Sequence, residues 1–300
     1  MNASAKNVLR RINYLFLFLL VAIATGMHAC INFRMSSREV DTFFKEKKIQ
    51  GTQQQYKTGD GHEIHYVTSG NDQLPLVLFV HGSPGSLSAF IDFMADSSLL
   101  PKAFLVTTDR PGFGHSNFGL AEPSLEKQAD ILKPILEKYK DNRPIILVGH
   151  SLGGPLIVRM AMAYPHLVDG LVIVAGSIDP ELEPDETWFR APLATPFLSW
   201  ILPRSFRSSN EEIYQLKPEL QKMLPYWKDV TCPVVVIQGK ADSLVDPGNA
   251  DFARKMLINA PVDFVLVEGM DHFVPWSHPG LIRNAVLQLL DRTPPHDASP

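Results

Sequence analysis

The chain has 300 residues, 45% of them hydrophobic and 20% charged, enough apolar material for one large domain with a sizeable core. A formal net charge of −4 without a long run of either sign argues against nucleic acid, which is bound through its phosphate backbone. Neither the two cysteines, Cys30 and Cys232, nor the ten histidines fall at zinc-ligand spacing, so neither a metal nor an organic cofactor is expected.

Residues 1–34 stand apart from the rest. Lys6, Arg10 and Arg11 precede an apolar run from Tyr14 to Ala24, the order of an export signal or a signal anchor. The run ends in Gly26-Met27-His28-Ala29-Cys30, a small residue before cysteine as in a bacterial lipoprotein signal, with Met27 and His28 departing from that pattern. Ile12 to Ala29 is also about long enough to span a bilayer as an uncleaved helix. A lipidated Cys30, a retained anchor and a fully released protein therefore stay open. Each puts the remainder outside the cytoplasm, and the first two hold it at a membrane.

A tether helix or linker is expected over about Met35 to Ile49. Gln53 to Thr58 and Glu63 to Thr68 alternate polar and apolar residues around Gly59-Asp60-Gly61, a hairpin. Short, nearly continuous apolar runs follow at Leu76–Val80, Phe104–Thr107, Ile145–Val148, Leu171–Val174, Val234–Ile237 and Phe264–Val267, as in strands buried on both faces. Helical stretches lie between them at Leu125–Tyr139, Leu156–Tyr164, Asn249–Ile258 and Leu281–Leu290. The alternation predicts an α/β fold with a doubly wound, mostly parallel eight-stranded sheet. Cys232 reads as a small buried hydrophobe at the start of one strand. Residues 178–227 break the alternation with prolines, three tryptophans and no strand pattern. Fifty structureless residues are uncommon in a compact domain, so they are expected to form a helical lid over one sheet end. The core is then 35–177 and 228–293, with a disordered tail at 294–300.

Gly149-His150-Ser151-Leu152-Gly153-Gly154 lies between a strand and a helix, the context in which G-x-S-x-G presents a nucleophile on a strained turn. A serine hydroxyl needs a base, which in turn needs an orienting carboxylate. Asp242 follows the strand ending at Ile237, and His272 follows the strand ending at Val267, so all three residues fall at one sheet edge. Asp246, expected to cap the helix near Pro247, and Asp271, beside His272 in the chain, compete less well for the carboxylate role. His166 and His278 read as surface residues. The oxyanion donors are expected to be the amide of Leu152, next to the nucleophile, and that of Ser83, in the loop His81-Gly82-Ser83-Pro84-Gly85 after the strand Leu76–Val80.

Over about Gln53 to Leu290 the chain resembles the α/β-hydrolase superfamily. The likeness rests on His81 to Gly85, on Asp109-Arg110-Pro111-Gly112-Phe113-Gly114-His115-Ser116, on Gly149 to Gly154, on Gly239 to Asp242 and on Gly269 to Phe273, in the family's order. The second motif is typical of the lid-bearing branch, where its role is mainly architectural. Epoxide hydrolases and haloalkane dehalogenases of that branch carry aspartate where Ser151 stands. Proline iminopeptidases usually have a second glycine in place of Ser83 and a tryptophan in place of Leu152. The resemblance thus implies an acyl-enzyme hydrolase with the triad Ser151, Asp242 and His272, acting on a small ester-like substrate. Trp188, Phe189, Phe197, Trp200 and Trp227 are expected either to line an apolar substrate pocket or to form the lid's own core. Cleavage of a carbon–carbon bond, an amide or a lactone, and a non-catalytic ligand-binding role, use the same framework.

Overall fold

The computed structural model describes residues 33–141 and 143–293. The expected export segment, Cys30 and the 294–300 tail lie outside the described residues. Among the described residues, no helix is long and apolar enough to cross a membrane.

Helix α1 (Ser37–Lys47) opens with a capping box, in which Ser36 accepts from the Glu39 amide while Glu39 reaches back to the Ser36 backbone. It turns Val40 and Phe44 inward. Strands β1 (Gly51–Lys57) and β2 (Glu63–Ser69) form the expected hairpin, followed by β3 (Leu76–Val80), β4 (Phe104–Thr108), β5 (Ile145–His150), β6 (Gly170–Val174), β7 (Val234–Gly239) and β8 (Val262–Val267). The sheet order is β1-β2-β4-β3-β5-β6-β7-β8. β2 runs antiparallel to both its neighbours, and every other pair is parallel. The mostly parallel eight-stranded sheet read from the sequence is therefore present.

Alternation of side chains feeds two cores, one on each face. Leu76, Leu78, Ile145, Leu147, Val234 and Val236 point to the core shared with helices α2 (Leu125–Tyr139) and α3 (Gly153–Ala163). Val77, Phe79, Ile146, Val148, Val235 and Ile237 point to the other, beneath a 3₁₀ segment at Leu87–Ala95 and α9 (Pro279–Arg292). Burial on both sides is why these strands read as unbroken apolar runs.

Residues 178–227 carry α4 (Thr187–Ala194), α5 (Pro196–Ser199) and α6 (Arg204–Met223), and the 3₁₀ segment Leu224–Asp229 overlaps their end. Their aromatic residues divide between surface and core. Trp188 and Phe197 are 80% and 82% exposed, whereas Trp227 is packed in the main core against Phe252. The tryptophan count marked this segment without distinguishing core from surface. Past it come α7 (Asn249–Met256) and α8 (Val274–Ser277). α7 begins at Asn249 as expected, with Gly248 as its N-cap residue, and Asp246 accepts from the Gly248 amide just before it. Cys232 is half-buried and lies just before β7; burial pushes its thiol up to about 12.

Candidate active site

Ser151 sits between β5 and α3 with φ of 54°, a left-handed value costly to a residue with a side chain. The turn is tight enough to explain both flanking glycines. A Cβ on Gly149 would come within 2.3 Å of the Gly153 carbonyl oxygen, and one on Gly153 within 2.4 Å of the Val80 oxygen. Two backbone bonds lock the strained residue. Its amide donates to Val174 O at 2.9 Å, and its carbonyl accepts from the Gly154 amide at 2.8 Å. Leu152 opens α3, so the positive end of that helix faces the serine.

His272 Nδ1 lies 2.9 Å from Asp242 Oδ2. The carboxylate is fully committed: Oδ2 also accepts from Gln238 Nε2 at 3.2 Å, and Oδ1 accepts from the Leu244 and Val245 amides at 2.9 Å each. Burial opposes ionisation of Asp242, but the His272 bond and the two amides outweigh it and hold the carboxyl below its ordinary range. An ionised carboxylate can only accept, so His272 carries its proton on Nδ1 and leaves Nε2 as the base nitrogen. Asp271 turns away, accepting from the Phe273 amide, and His278 is exposed beside Ser277.

Ser151 and His272 border one cavity of about 500 Å³, together with Ser83 and a wall of Phe33, Ala89, Phe273 and Trp276. None of the five aromatic residues singled out in 178–227 borders it. Its apolar side comes from Phe33 before α1 and from the Phe273–Trp276 turn after β8, positions with no distinguishing sequence pattern. Ser83 precedes a cis proline peptide, and its Oγ is buried without a hydrogen-bond partner among the described residues.

The loop carrying Ser83 is clamped from beneath by Arg110. Its Nε donates to His81 O at 2.9 Å and its Nη2 to Gly82 O at 3.0 Å. The Arg110 amide donates to His81 Nε2 at 3.0 Å, which puts the His81 proton on Nδ1, donating to Gly82 O at 2.7 Å. Glu212, on α6, receives the same guanidinium at 2.6 and 3.1 Å, and Gln128 accepts from it at 3.0 Å. Both charged groups are fully buried. Neighbouring Asp109 receives the Leu87 and His115 amides and faces His65 Nδ1. This is the architectural role implied for the Asp109–Ser116 motif. Glu212 escaped sequence reading because its partner is 102 residues away.

A family model described as the alpha/beta hydrolase fold matches residues 75–208, spanning the Ser83 loop and the Ser151 turn. The chain has the α/β-hydrolase fold. Among curated α/β hydrolases, it is 26% identical over 254 residues to 2-(acetamidomethylene)succinate hydrolase of Mesorhizobium japonicum, covering 72% of this chain and 88% of that protein. It is 28% identical over 174 residues to the mitochondrial palmitoyl-protein thioesterase of Bos taurus, covering 55% of each. In fold it is similar to a crystal structure of a bacterial membrane phospholipase A, with a TM-score of 0.63 and 17% identity over 94% of this chain and 99% of the other. Both of these sequence relatives are hydrolases.

Two buried histidines of this α/β-hydrolase fold bear on its stability in acid. Burial and the neighbouring His272 depress His150 from 6.5 to about 3, and burial with Arg110 drives His81 well below its usual value. Both stay neutral in the fold. Below pH 6.5 the unfolded chain takes up protons that the folded one refuses, so stability falls with pH until about 3. Each histidine contributes a slope of at most about 1.4 kcal/mol per pH unit. Urea midpoints measured from pH 7 to pH 4.5 should decline, and less steeply for His150→Gln, whose amide can keep the bond to His272 O. Equal slopes in the two proteins would rule out a neutral buried His150.

Proposed function

We propose that the protein is a serine esterase in which Ser151, His272 and Asp242 act as nucleophile, base and orienting carboxylate. The observation carrying this reading is the strained Ser151 turn opening into the same cavity as the Asp242-bound His272. His272 Nε2 takes the Ser151 proton as Oγ attacks an ester carbonyl, and Asp242 supports the imidazolium. The Leu152 and Ser83 amides receive the oxyanion. His272 then protonates the departing alcohol, and afterwards activates the water that releases the acid. The apolar wall of Phe33, Phe273 and Trp276 favours an apolar acyl group. Residues 178–227 would act as its lid.

The basic start and apolar run at the N-terminus support an exported protein held at a membrane, by a lipid on Cys30 or by the uncleaved segment. Mass spectrometry of the mature terminus distinguishes these: an acylated Cys30 means a lipoprotein, an intact Met1 a retained anchor, and an unmodified internal terminus a released enzyme.

The full chain should hydrolyse p-nitrophenyl butyrate with saturation kinetics, without added metal or cofactor. Asp242→Asn should lower kcat by about 10⁴-fold through the wrong histidine tautomer. An unchanged kcat would remove Asp242 from the mechanism, and no turnover of acyl esters of any chain length would remove the esterase reading.

A further inference from the structure

Ser151 stands where two cavities meet, and their walls differ in chemistry. Ser83, Ser151, Leu244 and His272 border both. On one side lies the apolar space of about 500 Å³ already described. On the other, about 220 Å³ is bordered by Ser177, Glu183, Glu186 and Arg190 together with Ile213 and Leu216. The smaller space leads outward, since Glu183, Glu186 and Arg190 also border a further hollow of about 410 Å³ that Lys217 flanks.

The smaller cavity holds one ion pair and one further carboxyl. Arg190 Nε donates to Glu186 Oε2 at 2.6 Å. The Ser177 hydroxyl donates to Glu183 Oε1, and burial raises the Glu183 carboxyl toward its neutral form. The wall therefore offers a hydroxyl and carboxyl oxygens to a hydrogen-bonding group, and no surplus positive charge to hold an anion. A hydroxyl-bearing group would keep its hydrogen bonds here and lose them in the larger cavity, where unpaired hydroxyls are costly. A hydrocarbon chain has the opposite preference.

We propose that the substrate is an amphiphilic ester, an acyl chain on a neutral polyol of about glycerol size, with the chain in the large cavity and the polyol between Ser177, Glu183 and Arg190. This rests on the esterase reading of Ser151. As Ser151 Oγ bonds to the acyl carbon, the carbon–oxygen bond to the polyol breaks. The polyol oxygen receives from His272 the proton taken from Ser151. The polyol leaves past Glu186 and Arg190, on the side away from the acyl chain. Water then adds to the acyl-serine, gives one proton to His272 and releases the acid, and His272 returns that proton to Ser151.

The test compares 1-hexanoylglycerol with butyl hexanoate, which share an acyl chain and differ in the alcohol, on the full chain. The wild type should favour the glyceryl ester in kcat/KM by about tenfold. Glu183→Leu and, as a gentler change, Ser177→Ala should each bring that ratio close to one. Turnover of both esters with no preference in the wild type, or a preference that neither variant moves, would overturn the polyol assignment and leave the esterase reading standing. Failure to hydrolyse either ester, or any p-nitrophenyl ester, would overturn both.

Discussion

Ser151→Ala should lower kcat on p-nitrophenyl butyrate by about 10⁴- to 10⁶-fold while leaving the fold intact. Alanine suits the site sterically, since it keeps the Cβ that already occupies the turn, and losing only the hydroxyl leaves the bond from the backbone amide to Val174 O and that from the Gly154 amide in place. What is lost is the atom proposed to become acylated. Because nucleophile and base act as a unit, His272→Ala should be about as severe, and the double variant little worse than either. The remaining rate would come from the Ser83 and Leu152 donors and from binding. Steady-state rates on matched, folded samples check this, and residual activity within tenfold of the wild type would contradict the role of Ser151.

Glu212→Leu should be the most destabilising single change outside the sheet. It leaves the Arg110 guanidinium fully buried with Gln128 and two carbonyl oxygens but no counter-charge. Breaking such a pair costs about 3–5 kcal/mol, which for a chain of this size lowers Tm by about 10 °C. Replacing both partners, as Arg110→Met with Glu212→Leu, removes the charge that had to be buried and should recover most of the loss. Activity should separate from stability here. The double variant also loses the bonds to His81 O and Gly82 O that hold the Ser83 loop. Its kcat should therefore stay low even as Tm recovers. Thermal melts with ester kinetics on the two variants and the wild type test this, and a Glu212→Leu protein melting with the wild type would show that the pair contributes nothing.

The parts of the molecule that were legible in the sequence are those whose cause is local. β3 at Leu76–Val80 and α2 at Leu125–Tyr139 match their expected limits, because hydrophobic period and the turns beside them lie within one window. The Ser151 turn was legible for the same reason, its two glycines answering contacts within the loop and with β3. Asp242 and His272 could be found because strand ends in such a sheet share one edge. What escaped depends on distance. Arg110 and Glu212 meet across 102 residues, and no spacing announces that pair. The cavity wall escaped on similar grounds. Tryptophans in 178–227 were candidates for it, but Trp227 was claimed by the core and Trp188 left at the surface, while Phe33 and Trp276 arrived from distant parts of the chain. The polar cavity had no sequence signature because Ser177, Glu183 and Arg190 are ordinary residues until the fold sets them beside Ser151.

The central claim is that Ser151 is an activated nucleophile, and a fluorophosphonate probe tests it most directly. Folded full-length protein should gain one probe mass, peptide mapping should place it on Ser151, and both His272→Ala and heat denaturation should abolish the reaction. Folded protein that stays unlabelled, or carries the probe on another residue, would contradict the account.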